Sequence, residues 1–387
     1  MDALLSFSPD EVRFLTAHAA EIDEVAPQVA LTSATVFADR KLLDAHFGGY
    51  ARAAMEAIYA RRLSEGKLPP GWLADIDAAQ QATPTLVARV RARRVQAASP
   101  RLVCDVTCSV GTEAHAYDQV RWLGSDLDHA RLLMARYNLG DKAWLVRADA
   151  LEPVVRAPGT VIVADPARRV NGRRITDPAK LRPPLPRLVH THQGAPMAVK
   201  CAPGIDYSEW EGLVSVVSVD GGVKEACLYT PDLSEGLSRE AVVARSDGFL
   251  EAVTSADPDE VPVGRPGTYI VEPDGAVVRA GLVRAWAARH GLWMLDPYIA
   301  FLTGDRIPAN YSGFAFLEDV PLRKLKAALQ SYDAGSVEIL VRGVDVDPDR
   351  LRGKLRLKGS RQMGVVIARV GETAVAHICG PRERPGA

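Results

Sequence analysis

Four successive apolar runs of this chain end in an aspartate: Asp105 in VCDVTCSVGTEAHA, Asp126 in VRWLGSDLD, Asp149 in VRADAL and Asp165 in VIVADPARR. Open α/β sheets bind ligands in the crevice beyond the carboxyl ends of their strands, so acids recurring there describe the rim of one site. A lone aspartate at a strand end is commonly a turn or capping residue, and Asp128, just ahead of HARLLMARYNL, reads as a helix N-cap. Four consecutive strand ends are harder to explain that way. After Asp105 comes a small-residue turn, Cys108 to Gly111, and then a helix; small side chains let the backbone approach a ligand. An acid about 20 residues further on, Asp126, suits the paired hydroxyls of a ribose. Asp149 is placed to meet an adenine amino group.

Cations gather after the fourth run. RRVNGRRITD completes four arginines within seven positions, Arg168, Arg169, Arg173 and Arg174. The segment reads either as a solvated loop or as a clamp on the phosphates of a polyanion. A guanidinium such as that of Arg168 can also lie flat against a base where no aromatic ring is at hand. Lys200 and Cys201, in VKCAPG, close the fifth run. A thiolate beside a lysine can act as a nucleophile, whereas a cysteine in an apolar strand is ordinarily a small core residue. Cys104 and Cys108 have no companion pair at zinc-ligand spacing, so no metal site is expected.

The elements that must position these residues follow from periodicity. EVRFLTAHAAEID, TVFADRKLLDAHF, YARAAMEAIYARRL and PTLVARVRARRVQAA repeat apolar residues every three or four positions, with N-cap types in SPDE and TSAT. They predict an all-helical domain over 1–94. Over 95–235 seven short apolar runs alternate with helical stretches, which predicts a parallel, doubly wound sheet; the last two runs, joined through Gly221 and Gly222, read as a hairpin closing one edge. A polar, Pro- and Gly-containing passage to about Gly267, read as a connector with some strand content, then leads into TYIVEPDGAVVRAGLVRAWAARHGLWMLDPYIAFLTGD, expected to resume helices, so 236–307 reads as a connector with helices. Residues 308–387 alternate strand-like and helical runs in a small α+β pattern.

With 387 residues, several compact units are expected. Apolar residues make up 47% and charged ones 25%, the balance of a globular protein, and no run is long enough to span a membrane. Five scattered cysteines argue for reduced thiols. The N-terminus carries acids within its first apolar stretch and no basic leader, so the expected location is the cytoplasm. The net charge of −1 hides an asymmetry, because from Pro321 onward 13 Lys and Arg face 7 Asp and Glu.

The strand-end residues, in this order, resemble those of the class I S-adenosylmethionine-dependent methyltransferases. The resemblance implies an α/β fold with a Rossmann-like seven-stranded methyltransferase sheet, here flanked by the N-terminal all-helical domain and the small C-terminal α+β domain. It implies S-adenosylmethionine as cofactor, held by Asp105, Thr107, Cys108, Ser109 and Gly111 in the loop, by Asp126 and Leu127, and by Asp149 and Ala150. Asp165, Pro166 and Arg168 match the catalytic motif, with Arg169, Arg173, Arg174 and Lys200 on the substrate side. Two departures are visible. The family's loop is richer in glycine, as in D-x-G-x-G, and glycine takes positive φ more cheaply than Ser or Thr. The motif Asp-Pro-Ala-Arg also lacks the aromatic of Asp/Asn-Pro-Pro-Tyr/Phe. A nicotinamide dehydrogenase would share the sheet but normally shows G-x-G-x-x-G, absent here.

The C-terminal stretch from FAFLEDVP to AVAHIC resembles THUMP-like modules of RNA-modifying enzymes. It carries Arg342, Arg350, Arg352, Lys354, Arg356, Lys358 and Arg361 within 20 residues. Helical domain, methyltransferase and THUMP-like end together resemble one bacterial methyltransferase family over nearly the whole chain. The implied activity is methylation of a base in tRNA or rRNA, with RNA as partner and no membrane. The alternatives are a methyltransferase acting on a protein or small molecule, and a non-catalytic RNA-binding scaffold.

Overall fold

The computed structural model describes residues 7–117, 120–167, 169–170 and 173–385, with the backbone alone at 169, 170, 173 and 174. It divides into two compact units, Met1–Val214 with Lys224–Gly236, and Ser215–Val223 with Leu237–Ala387.

The first unit opens with helices α1 (Pro9–Ala17), α2 (Ala19–Val25), α3 (Val36–Phe47), α4 (Ala51–Leu63), α5 (Ile76–Gln81) and α6 (Thr85–Ala97). Ser8 starts α1 with a reciprocal capping box to Glu11. The first expected helix is broken at His18, whose ring bonds back to the Phe14 carbonyl at 3.0 Å. Helix α5 was not expected. Its six residues carry no apolar stripe; Asp75 fixes its start by accepting the Ala78 N–H at 2.6 Å. Leu15, Ile22, Leu43 and Ile58 form one core with Val110, Ala130 and Met134, so the helices pack on the body that carries the strand-end residues.

That body contains β1 (Leu102–Asp105), β2 (Arg121–Asp126), α7 (His129–Leu139), β3 (Trp144–Arg147), β4 (Thr160–Ala164), the two-residue pair β5 (Arg169–Val170) and β6 (Arg173–Arg174), α8 (Leu185–Thr191), β7 (Met197–Cys201) and most of β9 (Gly222–Tyr229), while β8 (Leu213–Val219) gives Leu213 and Val214 to it and its remainder to the second unit. Strands β3, β2, β1, β4 and β7 lie side by side and parallel, and β9 runs antiparallel along β7. The central β1, β4 and β7 are buried along their length, as the uninterrupted apolar runs require. Asp220 (φ +51°) and Gly221 (φ +76°), between β8 and β9, have the paired positive φ of a tight hairpin turn. The helix expected after the Gly111 turn is instead a single 3₁₀ turn, Ala114–Ala116.

The second unit holds β10 (Arg239–Ala244) and β11 (Leu250–Thr254), an antiparallel pair, and a seven-stranded sheet. Its further elements are β12 (Tyr269–Val271), α9 (Gly275–Ala280), α10 (Val283–His290), β13 (Trp293–Asp296), β14 (Ile299–Gly304), β15 (Gly313–Pro321), α11 (Leu325–Ser331), β16 (Ala334–Arg342), α12 (Pro348–Leu355), β17 (Arg361–Val370) and β18 (Thr373–Glu383). The sheet order is β13-β14-β12-β15-β18-β17-β16. Residues 236–307, expected as a connector with helices, therefore supply five strands besides α9 and α10. Strand β12 pairs with β14 on one side and β15 on the other, which builds the segment into the C-terminal sheet. Among the described residues no helix is long and apolar enough to cross a membrane.

Candidate functional site

The loop after β1 folds back on the neighbouring strand ends. The Asp105 carboxylate accepts the Thr107 N–H at 3.0 Å, and the Cys108 N–H reaches the Ser125 carbonyl at 2.9 Å. Ser109 takes φ +49° although it is not glycine, at a cost of about 1 kcal/mol. Its N–H donates to Asp126 at 2.9 Å, which offsets that cost. Gly111, at φ +87°, cannot be replaced so easily, because a Cβ there would stand 2.7 Å from Leu139 Cδ1. The glycine-poor loop thus retains glycine where both backbone and packing demand it.

Asp126 is pinned from two sides, its second oxygen accepting the Asp128 N–H at 2.9 Å. Asp128 caps α7 through the Ala130 and Arg131 N–H groups, as its position indicated. Asp149 accepts the Leu151 N–H at 2.8 Å. Next to it, the Ala150 carbonyl meets Nε2 of buried His192 at 2.8 Å, and desolvation holds that imidazole below its ordinary pKa. Asp165 receives Lys200 Nζ at 2.5 Å, and its own N–H donates to Thr107 Oγ1 at 2.6 Å. Pro166 is buried beneath this corner.

These strand ends share a cleft of about 420 Å³ lined by Thr107, Ser109, Asp126, Leu127, Asp149, Ala150 and Asp165. The volume lies within the ~300–1,000 Å³ range of small-molecule sites. The cleft gathers seven of the expected residues. Asp105, Cys108 and Gly111 stand behind it in the loop. Arg168 lies outside the described residues, as do the side chains of Arg169, Arg173 and Arg174, whose backbones form the small β5–β6 pair. Lys200, expected on the substrate side, is instead buried behind Asp165. Sequence reasoning missed Asp77 and Gln81 on α5, Arg131 on α7 and Arg182, all of which line the cleft. Arg182 is brought in by backbone hydrogen bonds with Ala167 of 2.8 and 3.4 Å, a pairing no local pattern announces.

Beneath the loop lies a buried charge cluster. Arg91 of α6 donates to both Glu113 oxygens at 2.7 and 2.6 Å and also bonds Glu225. Burial raises the Glu225 carboxyl, against the pull of Arg91 and Lys200, and raises that of Asp105 well above the usual range, with Glu113 adding to the effect. Burial likewise pushes the Cys104 and Cys227 thiols up to about 12. Cys201 is fully enclosed, which removes it as an accessible nucleophile. Among the described residues no group of three or more His, Cys, Asp or Glu is arranged to hold a metal.

The cleft lies beyond the carboxyl ends of the parallel strands, where open α/β sheets bind nucleotides. Two proteins of Mycobacterium tuberculosis strains CDC 1551 and H37Rv, each described as an uncharacterized S-adenosylmethionine-dependent methyltransferase, are 46% identical to the chain over 362 residues, 88% of it and 99% of their own length. The THUMP domain-like family model matches residues 312–381. A Porphyromonas gingivalis W83 protein whose crystal structure is described as that of a methyltransferase matches with a TM-score of 0.70 and 16% identity, over 98% of this chain and 99% of that one, a likeness of fold. The chain belongs to the S-adenosylmethionine-dependent methyltransferase family of its mycobacterial relatives. The donor set fits that cofactor: two carboxylates held by backbone N–H groups, Asp126 and Asp149, line a cleft of suitable size.

Proposed function

We propose that this methyltransferase modifies RNA, at a base of tRNA or rRNA, in the cytoplasm. The observation that carries the reading is the THUMP domain-like match on a chain whose family transfers methyl groups. The exposed Lys354, Arg356 and Lys358 after and within α12 support it, since the acids of the same stretch pair with other residues, Asp347 with Arg350 and Asp349 with Arg352.

In this reading Asp126 accepts the ribose hydroxyls, with Leu127 beside it. Asp149 and Ala150 meet the adenine, and the Asp105–Gly111 loop, through Thr107, Cys108 and Ser109, shapes the floor. When bound, the cofactor supplies an activated sulfonium methyl, so the protein's task is alignment and the disposal of one proton. Asp165, held by Lys200 and Thr107, accepts a hydrogen bond from the nucleophile and fixes its direction. Pro166 keeps the corner rigid, while Arg168 lies against the base. Arg169, Arg173 and Arg174, now joined by Arg182, take the flanking phosphates. Lys200 acts through Asp165.

Incubation of the full chain with methyl-labelled S-adenosylmethionine and undermodified tRNA and rRNA is expected to place label in RNA. Label in protein or in small metabolites, and none in RNA, contradicts the proposal.

A further inference from the structure

Of the acids around the cleft, three are already engaged. Asp126 accepts two backbone N–H groups, Asp149 accepts one, and Asp165 takes the Lys200 ammonium. Asp77 differs. It lines the same cleft, is exposed, and accepts no hydrogen bond from any described residue. It belongs to α5 in the N-terminal helical segment, and Gln81, one turn later, lines the cleft as well. The helix is held firmly against the cofactor loop and α7. Ala78 and Ala79 are buried in the core that contains Val110 and Ala130, and fully buried Asp75 lies 3.7 Å from Arg131 Nε. An acid in a helix's first turn gains a little from the helix dipole, but that gain does not require it to face a cleft.

We propose that α5 completes the cofactor site and that Asp77 is the residue by which the cleft prefers the methyl-donating sulfonium form to the demethylated product. The two forms share their nucleoside and their zwitterionic amino-acid end, and differ by one methyl group and one positive charge. A carboxylate carried at the cleft wall with no hydrogen-bond partner among the described residues attracts that extra charge across several ångströms. Asp165 discriminates less, because the Lys200 ammonium offsets its charge, and Asp126 and Asp149 turn oxygens toward backbone N–H groups. The helical segment thereby helps product leave, since transfer of the methyl group removes the charge Asp77 attracts. The inference rests on the cofactor occupying this cleft.

Calorimetric titration of the full chain with S-adenosylmethionine and with S-adenosylhomocysteine tests it without any methyl acceptor. Asp77→Asn is expected to weaken S-adenosylmethionine roughly 10-fold and S-adenosylhomocysteine less than about 2-fold. Asp77→Glu should retain the preference, and Gln80→Ala, at an exposed α5 position outside the cleft lining, should change neither. Thermal unfolding of each variant reports whether the fold is intact. Equal losses for both ligands, or no loss for either, with Asp126→Ala still weakening both, overturn the proposal alone. Binding that Asp126→Ala leaves untouched removes the cleft assignment, and the proposal with it.

Discussion

The Lys200 ammonium lies 2.5 Å from an Asp165 oxygen while the lysine itself is only 4% exposed. A cation so enclosed cannot reach out to a phosphate. It pairs with Asp165, which faces the cleft with 38% of its side chain exposed, and in the proposed reading it serves to position that carboxylate. Lys200→Met is therefore expected to reduce methyl transfer at least ~10-fold while cofactor affinity changes less than ~3-fold, a split that Lys200→Arg partly reverses. The stability cost by urea denaturation is about 1–3 kcal/mol, below the figure for a fully buried pair because Asp165 can be hydrated. Loss of cofactor affinity in step with activity would contradict this role.

Arg91 joins the helical segment to the methyltransferase body through Glu113 and Glu225, and its side chain is 1% exposed. Arg91→Met removes the guanidinium that both buried carboxylates bond, leaving Glu225 only the attraction of Lys200, and should destabilise the first unit by about 3–5 kcal/mol. The triple variant Arg91→Met, Glu113→Gln, Glu225→Gln should recover much of that loss in chemical denaturation. No recovery would mean that the cluster contributes attraction well beyond offsetting its own desolvation.

The strand ends were legible in the sequence because each acid stops an apolar run, and the runs of β1, β4 and β7 are uninterrupted where the strands are buried on both faces. What was not legible depends on tertiary contact. Helix α5 is too short to show a period, so Asp77 and Gln81 carried no signal. Arg182 reaches the cleft only by pairing with Ala167. The helix expected after Gly111 is a single 3₁₀ turn, and the burial of Lys200 on β7, flanked by β4 and β9, is set by strands distant in sequence rather than by its own segment. In the second unit, TYIVEPDGAVVRAGLVRAWAARHGLWMLDPYIAFLTGD does hold α9 and α10. Its strands β12 to β14 are brief and unevenly patterned, and they are recognised by pairing with one another and, through β12, with β15.

In the second unit, burial alone would raise the Glu251 carboxyl, but hydrogen bonds from His290, Tyr311 and Trp286 outweigh it and bring the pKa down from 4.5 to about 2. A carboxyl depressed in the folded state contributes stability above its unfolded pKa and loses it as pH falls through the folded one. Stability should therefore decline between about pH 4.5 and 2. Glu251→Gln should cost about 2–3 kcal/mol at pH 7 and flatten that acid limb in a denaturation series. An unchanged acid limb would contradict the assignment.

If the THUMP-like region binds RNA through its exposed cations, replacing Lys354, Arg356 and Lys358 together with Ala should weaken RNA binding across sequences. The slope of log affinity against log salt should fall by about 2–3, and affinity for S-adenosylmethionine should stay constant. An unchanged salt slope places the RNA contacts elsewhere.

The most direct test of the account is titration of the purified chain and its Asp126→Ala variant with S-adenosylmethionine. The wild type should bind in the micromolar range, and the variant more than ~10-fold more weakly, because a charged hydrogen-bond partner is lost. Equal affinity of the two proteins would contradict the placement of the cofactor at these strand ends.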